Sequence, residues 1–329
     1  MKLSALALSL SITSALAQPT PAPIPLPALN IDPTQTTVSG ISSGGYMAVQ
    51  LHVAYSSKFG KGVAAIAGGP YDCAEGFVVS ALTRCLGKAA IPVDALVAAT
   101  KQAAADKAID PVAGLSNSRA YVFSMAKDSV VGEGTSTALV KYYEAFLPAG
   151  NIVHKKDVPA EHGFVTDGNG ASCDNKATPF LNNCGFDLAG ALLAHLHGNL
   201  KPRKTGDLSG KLIEFDQAAI TKGAGLGTAG YAYVPASCAG GASCRLHVAL
   251  HGCKSNATDI GDAFAKNAGY NRWADTNDLV VLYPQTGAGA VNSCWDWWGY
   301  TGAGYAKKDA PQMKAIVAMV ERLGSGVKK

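Results

Sequence analysis

The segment Thr36–Gln50 reads TTVSGISSGGYMAVQ, and the interpretation of the whole chain starts from it. Its first four residues, Thr36–Ser39, form a short β-branched run that ends at a glycine, which is typical of a strand. From Tyr46 to Phe59 the apolar residues recur at helical spacing, which predicts a helix. Ser42 lies between the two, in a Gly-x-Ser-x-Gly motif. The segment therefore predicts a strand, a tight turn at Ser42 and a helix.

A serine at a strand-to-helix turn has the setting of the nucleophile elbow in α/β hydrolases. The flanking glycines tolerate the backbone crowding of such a turn, which pushes the serine Oγ out over the edge of the sheet. We therefore predict that Ser42 is a catalytic nucleophile. The motif alone leaves an alternative open, a glycine-rich turn with a solvated serine in a chain that has 37 glycines.

A serine hydroxyl needs a base to take its proton, and the base needs an acid that fixes its tautomer. His162 is the predicted base because its loop, 159–164, follows a predicted strand; a surface-loop histidine is the alternative. Asp128 is the predicted acid, since it follows the predicted strand Ala120–Ser124 and completes the chain order serine, aspartate, histidine of α/β hydrolases. Asp157 and Asp110 are its rivals. Five other histidines are predicted to be structural or at the surface: His52, His154, His195, His197 and His247.

The rest of the chain alternates strand-like and helix-like segments, which predicts a mostly parallel sheet with helices on both faces. The predicted strands are Gly62–Gly68, Ala120–Ser124, Ile152–Val158, Lys211–Phe215, Tyr231–Val234, Leu246–Leu250 and Leu279–Tyr283. The predicted helices are 93–108, 135–147, Phe186–His197, Asp259–Thr276 and Met313–Leu323. We expect one α/β-hydrolase domain over residues 18–329, because no long polar linker divides them.

An acyl-transfer site also needs backbone amides that stabilise the oxyanion. One predicted donor is the amide that follows the nucleophile, at Ser43. The second normally comes from a loop before the nucleophile, often with the pair His-Gly. Here the candidate, His251-Gly252-Cys253, follows a predicted strand more than two hundred residues after Ser42.

This displaced segment predicts a circular permutation of the fold. Residues 211–323 contain the strands and helices that normally precede the nucleophile, and their last helix would lead into Ile31-Asp32-Pro33 and the strand to Ser42. The interpretation requires Leu323 and Ile31 to be neighbours in space, and chain termini often lie close together.

The segment Met1–Ala17 has the features of a secretory signal peptide: Lys2, an apolar run and a small-x-small end. A membrane anchor is the alternative, but the run is shorter than a bilayer span and prolines follow it. We therefore expect a protein secreted to the periplasm or the medium, with no membrane partner. The net charge is +4 and no long basic run occurs, so a nucleic-acid partner is not expected.

Eight cysteines, an even number in an exported chain, predict four disulfides. Eight cysteines allow 105 pairings, so we pair the cysteines that are closest in sequence. This gives Cys73–Cys85, Cys173–Cys184 and Cys238–Cys244, and leaves Cys253–Cys294. A zinc site is not expected, since there is no CxxC pair and no histidine at ligand spacing from a cysteine pair.

Six motifs together resemble the esterase family of poly(3-hydroxybutyrate) depolymerases, in its single-domain, circularly permuted form. They are Gly40-Ile41-Ser42-Ser43-Gly44-Gly45, Lys127-Asp128-Ser129-Val130-Val131, Glu161-His162-Gly163-Phe164, Leu250-His251-Gly252-Cys253, Tyr283-Pro284-Gln285 and Cys294-Trp295-Asp296-Trp297. The resemblance implies a triad of Ser42, Asp128 and His162, and an oxyanion hole formed by the amides of Ser43 and Cys253. It also supports the Cys253–Cys294 bridge.

The function that the resemblance implies is hydrolysis of poly(3-hydroxybutyrate) or a related short-chain polyhydroxyalkanoate through an acyl-enzyme, without a metal or cofactor. We expect a monomer. An alternative is a feruloyl or acetylxylan esterase, because those enzymes share the His-Gly-Cys and Tyr-Pro-Gln elements. A non-catalytic polymer-binding protein is another. Trp295, Trp297 and Trp298 could line a substrate crevice or pack in the core, and Trp298 is our predicted substrate contact.

Overall fold

The computed structural model describes residues 23–220 and 223–326 of the chain. The predicted signal peptide, Met1–Ala17, lies outside these residues. Within the described ranges, no helix is both long enough and apolar enough to cross a membrane.

Strands and helices alternate along most of the described chain. The strands are β1 Ile31–Ile41, β2 Gly62–Ile66, β3 Arg119–Phe123, β4 Ile152–Lys155, β5 Phe164–Thr166, β6 Ala171–Ser172, β7 Leu181–Asn183, β8 Lys211–Asp216, β9 Ala229–Val234, β10 Cys244–Leu250 and β11 Leu279–Tyr283. The helices are α1 Ser43–Ala54, α2 Ser56–Phe59, α3 Val78–Leu82, α4 Val93–Ala105, α5 Glu133–Glu144, α6 Leu188–His197, α7 Ala236–Ala239, α8 Ala257–Ile260, α9 Ala263–Asn267, α10 Tyr270–Thr276 and α11 Pro311–Leu323.

The described strands form a central eight-stranded sheet in the order β4-β3-β2-β1-β10-β11-β9-β8. Strand β9 pairs antiparallel with β8 and β11, and the remaining neighbours in this sheet pair in parallel. A second, three-stranded sheet has the order β5-β7-β6. The main sheet is the predicted mostly parallel sheet of an α/β hydrolase.

The two faces of the main sheet pack against different helices, because successive strand residues point to opposite sides. In β2, Val63 and Ala65 belong to the core beneath α1, α4, α5 and α11. The alternate residues Ala64 and Ile66 pack against α6, α9 and α10. This burial on both faces explains why the strand is apolar throughout.

The two ends of the described chain meet, as the predicted permutation requires. The backbone N–H of Leu29, just before β1, donates to the carbonyl of Leu323 in α11 at 2.7 Å, and Gly326 donates back to Leu29 at 3.1 Å. If the strands are counted from β8, through α11 and on into β1, the spatial order becomes 1-2-4-3-5-6-7-8. In this count each strand lies next to its successor across the sheet, except that β10 and β11 have exchanged places.

Four disulfides connect the described cysteines in the pairs that the sequence predicted. They are Cys73–Cys85, Cys173–Cys184, Cys238–Cys244 and Cys253–Cys294. Cys253–Cys294 spans 41 residues of sequence and joins the segment after β10 to the tryptophan-rich segment.

Several element boundaries differ from the predictions. Strand β1 begins at Ile31, five residues before the β-branched run. The helix predicted from Asp259 to Thr276 is three short helices, interrupted at Gly261 and Gly269, whose φ angles of +60° and +93° are incompatible with a continuing helix.

Four buried histidines hold no charge in the folded protein. Burial lowers the pKa of His52 and of His197 to about 3, and that of His251 to about 4. Burial also lowers the pKa of His247 well below its usual value, with a smaller contribution from His197. In the unfolded chain each ring titrates near the ordinary histidine value of about 6.5.

We predict that the protein loses stability as the pH falls from about 6.5 towards 5. The unfolded state then binds more protons than the folded state, and each buried histidine contributes a slope of about 1.4 kcal/mol per pH unit. Urea unfolding at a series of pH values measures this slope. The variant His52→Gln should have a shallower slope than the wild type, by about the contribution of one histidine. Stability independent of pH over this range would contradict the prediction.

Candidate active site

Ser42 lies at a strained turn between β1 and α1. Its φ and ψ angles are +56° and −123°, a conformation that side-chain-bearing residues rarely adopt and that costs about 1–3 kcal/mol. Its backbone N–H donates to the carbonyl of Ile66 at the end of β2 at 2.8 Å, and its carbonyl accepts from Tyr46 in α1 at 3.1 Å. The turn is therefore tied to both elements it joins.

The glycines of the motif are required by close backbone contacts. A Cβ atom on Gly40 would lie 2.2 Å from the carbonyl oxygen of Gly44. A Cβ atom on Gly44 would lie 2.3 Å from the carbonyl oxygen of His251, in the segment after β10. The first glycine thus permits the turn, and the second lets helix α1 approach the predicted oxyanion segment.

His162 and Asp128 form a buried pair beside this turn. Nδ1 of His162 lies 2.8 Å from Oδ2 of Asp128, whose side chain is 1% exposed. Oδ1 of Asp128 accepts the backbone N–H groups of Val130 and Val131, each at 2.8 Å. Because the carboxylate accepts, Nδ1 carries the proton and Nε2 is left to act as the base.

The rival acids lie elsewhere. Asp157 is exposed and pairs with Lys155, and Asp110 accepts hydrogen bonds from Ser57 and pairs with Lys308. The structure thus brings His162 together with Asp128 rather than with either rival.

Glu161 joins the loops of the acid and the base, a role that the sequence did not indicate. Its Oε2 accepts the backbone N–H of His162 at 2.8 Å and that of Ser129 at 3.3 Å. Burial acts to raise the pKa of Glu161, but these hydrogen bonds outweigh it and the net shift is downward. The carboxylate therefore stays charged and keeps the two loops together.

Ser42 and His162 line one cavity of about 520 Å³. In the described part of the chain no hydrogen bond joins Oγ of Ser42 to Nε2 of His162, and such contacts often tighten only when substrate binds. The other lining residues are mostly apolar, and they include Leu82, Val130 and Phe180. The site can therefore take an apolar ester next to the nucleophile.

The predicted oxyanion segment lies directly against Ser42. A Cβ atom on Gly252 would lie 3.5 Å from Cβ of Ser42, and Cys253 and Ser43 line the same cavity. Ser43 is the first residue of α1, where unpaired helix N–H groups favour negative charge. Ser43 and Cys253 thus line the same cavity as Ser42, and the role of their amides as an oxyanion hole stays a prediction.

His251 fixes the shape of this segment. The backbone N–H of Thr286 donates to Nε2 of His251 at 3.2 Å, so Nδ1 carries the proton and donates to the carbonyl of Gly252 at 2.7 Å. Burial, which lowers the pKa of His251 to about 4, maintains this neutral ring. His251 therefore holds the predicted oxyanion segment in place through its contacts with Gly252 and Thr286.

The tryptophans after Cys294 have separate positions. Trp295 is fully buried, and its indole N–H donates to the carbonyl of His251 at 3.1 Å. Trp297 stacks on Tyr46, with ring centroids 4.6 Å apart, and lines the cavity together with Trp298. Trp295 is thus a structural residue, while Trp298 lines the cavity and its role as a substrate contact stays a prediction.

Asp296, which the sequence analysis did not single out, organises the loop that carries Trp298. Its Oδ1 accepts the backbone N–H groups of Trp298, Gly299 and Tyr300 at 3.4, 2.7 and 3.0 Å. Its Oδ2 accepts both the backbone N–H and the hydroxyl of Thr301. The buried carboxylate of Asp296 thus accepts five hydrogen bonds, which hold the loop of Trp298 in one conformation at the cavity wall.

Comparison with known proteins identifies the family. The chain is 40% identical over 316 residues to a polyhydroxybutyrate depolymerase from Talaromyces funiculosus, covering 91% of this chain and 92% of that protein. The chain belongs to the PHB depolymerase family of esterases. The family described as "Esterase PHB depolymerase" matches residues 229–327.

Other members of the PHB depolymerase family are similar in sequence and in structure. A poly(3-hydroxybutyrate) depolymerase from Delftia acidovorans is 55% identical over 303 residues, and the chain spans 61% of its length. The crystal structure of PHB depolymerase from Penicillium funiculosum superposes with a TM-score of 0.85 at 38% identity, covering 92% of this chain and 99% of that one. The structure of a PHB depolymerase variant complexed with an R3HB trimer superposes with a TM-score of 0.86, at the same identity and coverage.

We predict that Asp128→Asn lowers kcat on a soluble chromogenic ester by about ten-thousandfold, because an amide stabilises the wrong histidine tautomer. Asp157→Asn is the matched control, since it removes an exposed carboxylate of the rival candidate. It should retain wild-type activity. Loss of activity in Asp157→Asn with retention in Asp128→Asn would reverse the assignment of the acid.

We also predict that Asp296→Ala raises KM for oligomeric substrate more than it lowers kcat, and destabilises the protein by about 3 kcal/mol. The variant leaves the partly buried amides that Asp296 accepts without a partner and releases the loop of Trp298. Asp296→Asn retains Oδ1 for three of the five donors, so its effect should be intermediate. Steady-state kinetics and urea unfolding measure both quantities. If Asp296→Ala had the KM and the stability of the wild type, Asp296 would not be the residue that holds the loop of Trp298.

Proposed function

We propose that the protein is a secreted serine esterase that hydrolyses poly(3-hydroxybutyrate) or a related short-chain polyhydroxyalkanoate. The observation that carries the proposal is the convergence of three features on one apolar cavity. These are the strained turn at Ser42, the buried pair of His162 and Asp128, and the segment at Cys253. Family membership supports the polyester as substrate.

In the proposed reaction, Nε2 of His162 takes the proton of Ser42 as Oγ attacks the ester carbonyl. The carbonyl oxygen becomes an oxyanion and accepts hydrogen bonds from the backbone N–H groups of Ser43 and Cys253. Each of these hydrogen bonds stabilises the transition state by about 3–4 kcal/mol. The protonated His162 then gives its proton to the leaving alkoxide, which departs as a hydroxyl-ended chain. Water activated by His162 hydrolyses the acyl-enzyme and frees the acid.

The cavity walls support an apolar polymer as the substrate. Val78 and Leu82 of α3, with Val130 and Val291, line the cavity and are also among the exposed large apolar side chains of the described residues. Exposed apolar side chains gathered at one site are typical of a binding surface. A polyester chain has apolar methyl and methylene groups that these side chains can contact.

Secretion as a monomeric single domain, residues 18–329, is part of the proposal. Four disulfides support an oxidising compartment, because such bonds persist outside the cytosol. The sequence of Met1–Ala17 supports export.

We predict that the wild-type protein clears a suspension of polyhydroxybutyrate, and that Ser42→Ala does not. A fluorophosphonate probe should label the wild type and leave Ser42→Ala unlabelled. Strong release of ferulate or acetate from plant polysaccharide without clearing would favour the alternative esterase. An unlabelled wild-type protein would favour a non-catalytic binding protein.

A further inference from the structure

Two lysines line the proposed catalytic cavity, and hydrolysis of a neutral ester does not by itself require them. One of them, Lys176, also contributes to the lowered pKa of Glu161 in the loop of the predicted base. Among the described residues that line the cavity, Lys176 and Lys254 are the permanently charged side chains, and no carboxylate is present. A polyhydroxybutyrate chain is uncharged except at its carboxyl end. The chemically matching partner of a lysine in this cavity is therefore the terminal carboxylate of a short chain.

Lys176 lies on the acid–base side of the site. Its Nζ is 2.6 Å from Oγ of Ser129, the residue that follows the predicted acid Asp128. Lys254 follows Cys253 and therefore lies on the oxyanion side. The two lysines thus flank different parts of a bound ester.

The loop of Lys176 is attached to the loop of the base. The buried side chain of Asn182 donates to the carbonyl of Asn175 at 2.8 Å and to that of Glu161 at 3.3 Å. The backbone N–H of Glu161 also donates to the carbonyl of Cys173 at 2.9 Å, and Cys173 is bridged to Cys184. The base and the lysine are consequently positioned by the same small sheet, β5-β7-β6.

The chemistry of the ester decides which end of the chain meets Lys176. His162 must protonate the leaving oxygen, so the alcohol part of the ester lies on the acid–base side. In a 3-hydroxyalkanoate chain the alcohol part leads to the carboxyl end. When the leaving group is a single unit, its carboxyl carbon is separated from that oxygen by two carbon atoms.

We infer that Lys176 binds the free carboxylate of a short leaving group, so that the enzyme favours oligomeric acids and cleaves them near the carboxyl end. The ammonium has three donors, of which Ser129 takes one and two remain for the carboxylate. The inference rests on the proposed esterase function. Because Lys176 is exposed, the expected gain in kcat/KM is modest, about two- to fivefold.

The test compares two forms of the (R)-3-hydroxybutyrate trimer, the free acid and its methyl ester, at low and high ionic strength. The wild type should have a kcat/KM about two- to fivefold higher on the acid at low salt, and the preference should vanish at high salt. Lys176→Met should bring the ratio of acid to ester to about one. Lys176→Arg should keep the preference, because it keeps the charge.

Lys254→Met is the matched control, since it removes the other lysine of the cavity on the oxyanion side. It should retain the preference for the acid. Equal wild-type rates on the two trimers, or a preference that persists in Lys176→Met, would overturn the inference and leave the esterase function intact. Hydrolysis of neither trimer would also overturn the inference, and failure to clear a polyhydroxybutyrate suspension as well would overturn the proposed function with it.

Discussion

The parallel pairing of β1 with β10 is the contact on which the site depends. Gly40 in β1 lies opposite Leu250 in β10, so the turn at Ser42 and the oxyanion segment emerge at the same edge of the sheet. A slip of one residue would reverse the faces of every side chain in β1. The ring of His247 opposes such a slip, because it hydrogen-bonds the hydroxyls of Thr37 and Ser39 at 2.8 and 2.7 Å. Burial lowers the pKa of this ring well below its usual value, so the ring stays neutral inside the sheet.

Around this pair of strands, packing holds Ser42, the predicted nucleophile, in a backbone conformation that a serine rarely adopts. The cost at Ser42 is about 1–3 kcal/mol, a small fraction of what a core of this size provides. Glycine at position 44 lets α1 approach His251, and the carbonyl of His251 in turn accepts from the fully buried Trp295. The Cys253–Cys294 bridge closes the same ring of contacts. The turn at Ser42 and the predicted oxyanion segment are therefore parts of one packed unit.

Much of the site could be predicted because its residues follow strands in a recognisable order. Ser42, Asp128 and His162 were singled out in this way, while the side chains that position them were not. Glu161 and Asp296 act by accepting backbone N–H groups, and such contacts have no sequence signature when the donors lie in other loops. The small sheet β5-β7-β6 was missed for a related reason: strands of two or three residues have too few positions for a periodic pattern to appear.

The sequence by itself determined the alternation of strands and helices, the pairing of the cysteines by short loops, and the candidate triad. These follow from local periodicity, spacing and chain order, which are properties of neighbouring residues. The tertiary structure alone decided that Asp128 rather than Asp157 or Asp110 meets His162, that Leu29 contacts Leu323, and that Lys176 lies beside Ser129, the residue after Asp128. Each of these is a contact between distant segments, and such contacts are set by how the two faces of the sheet are packed.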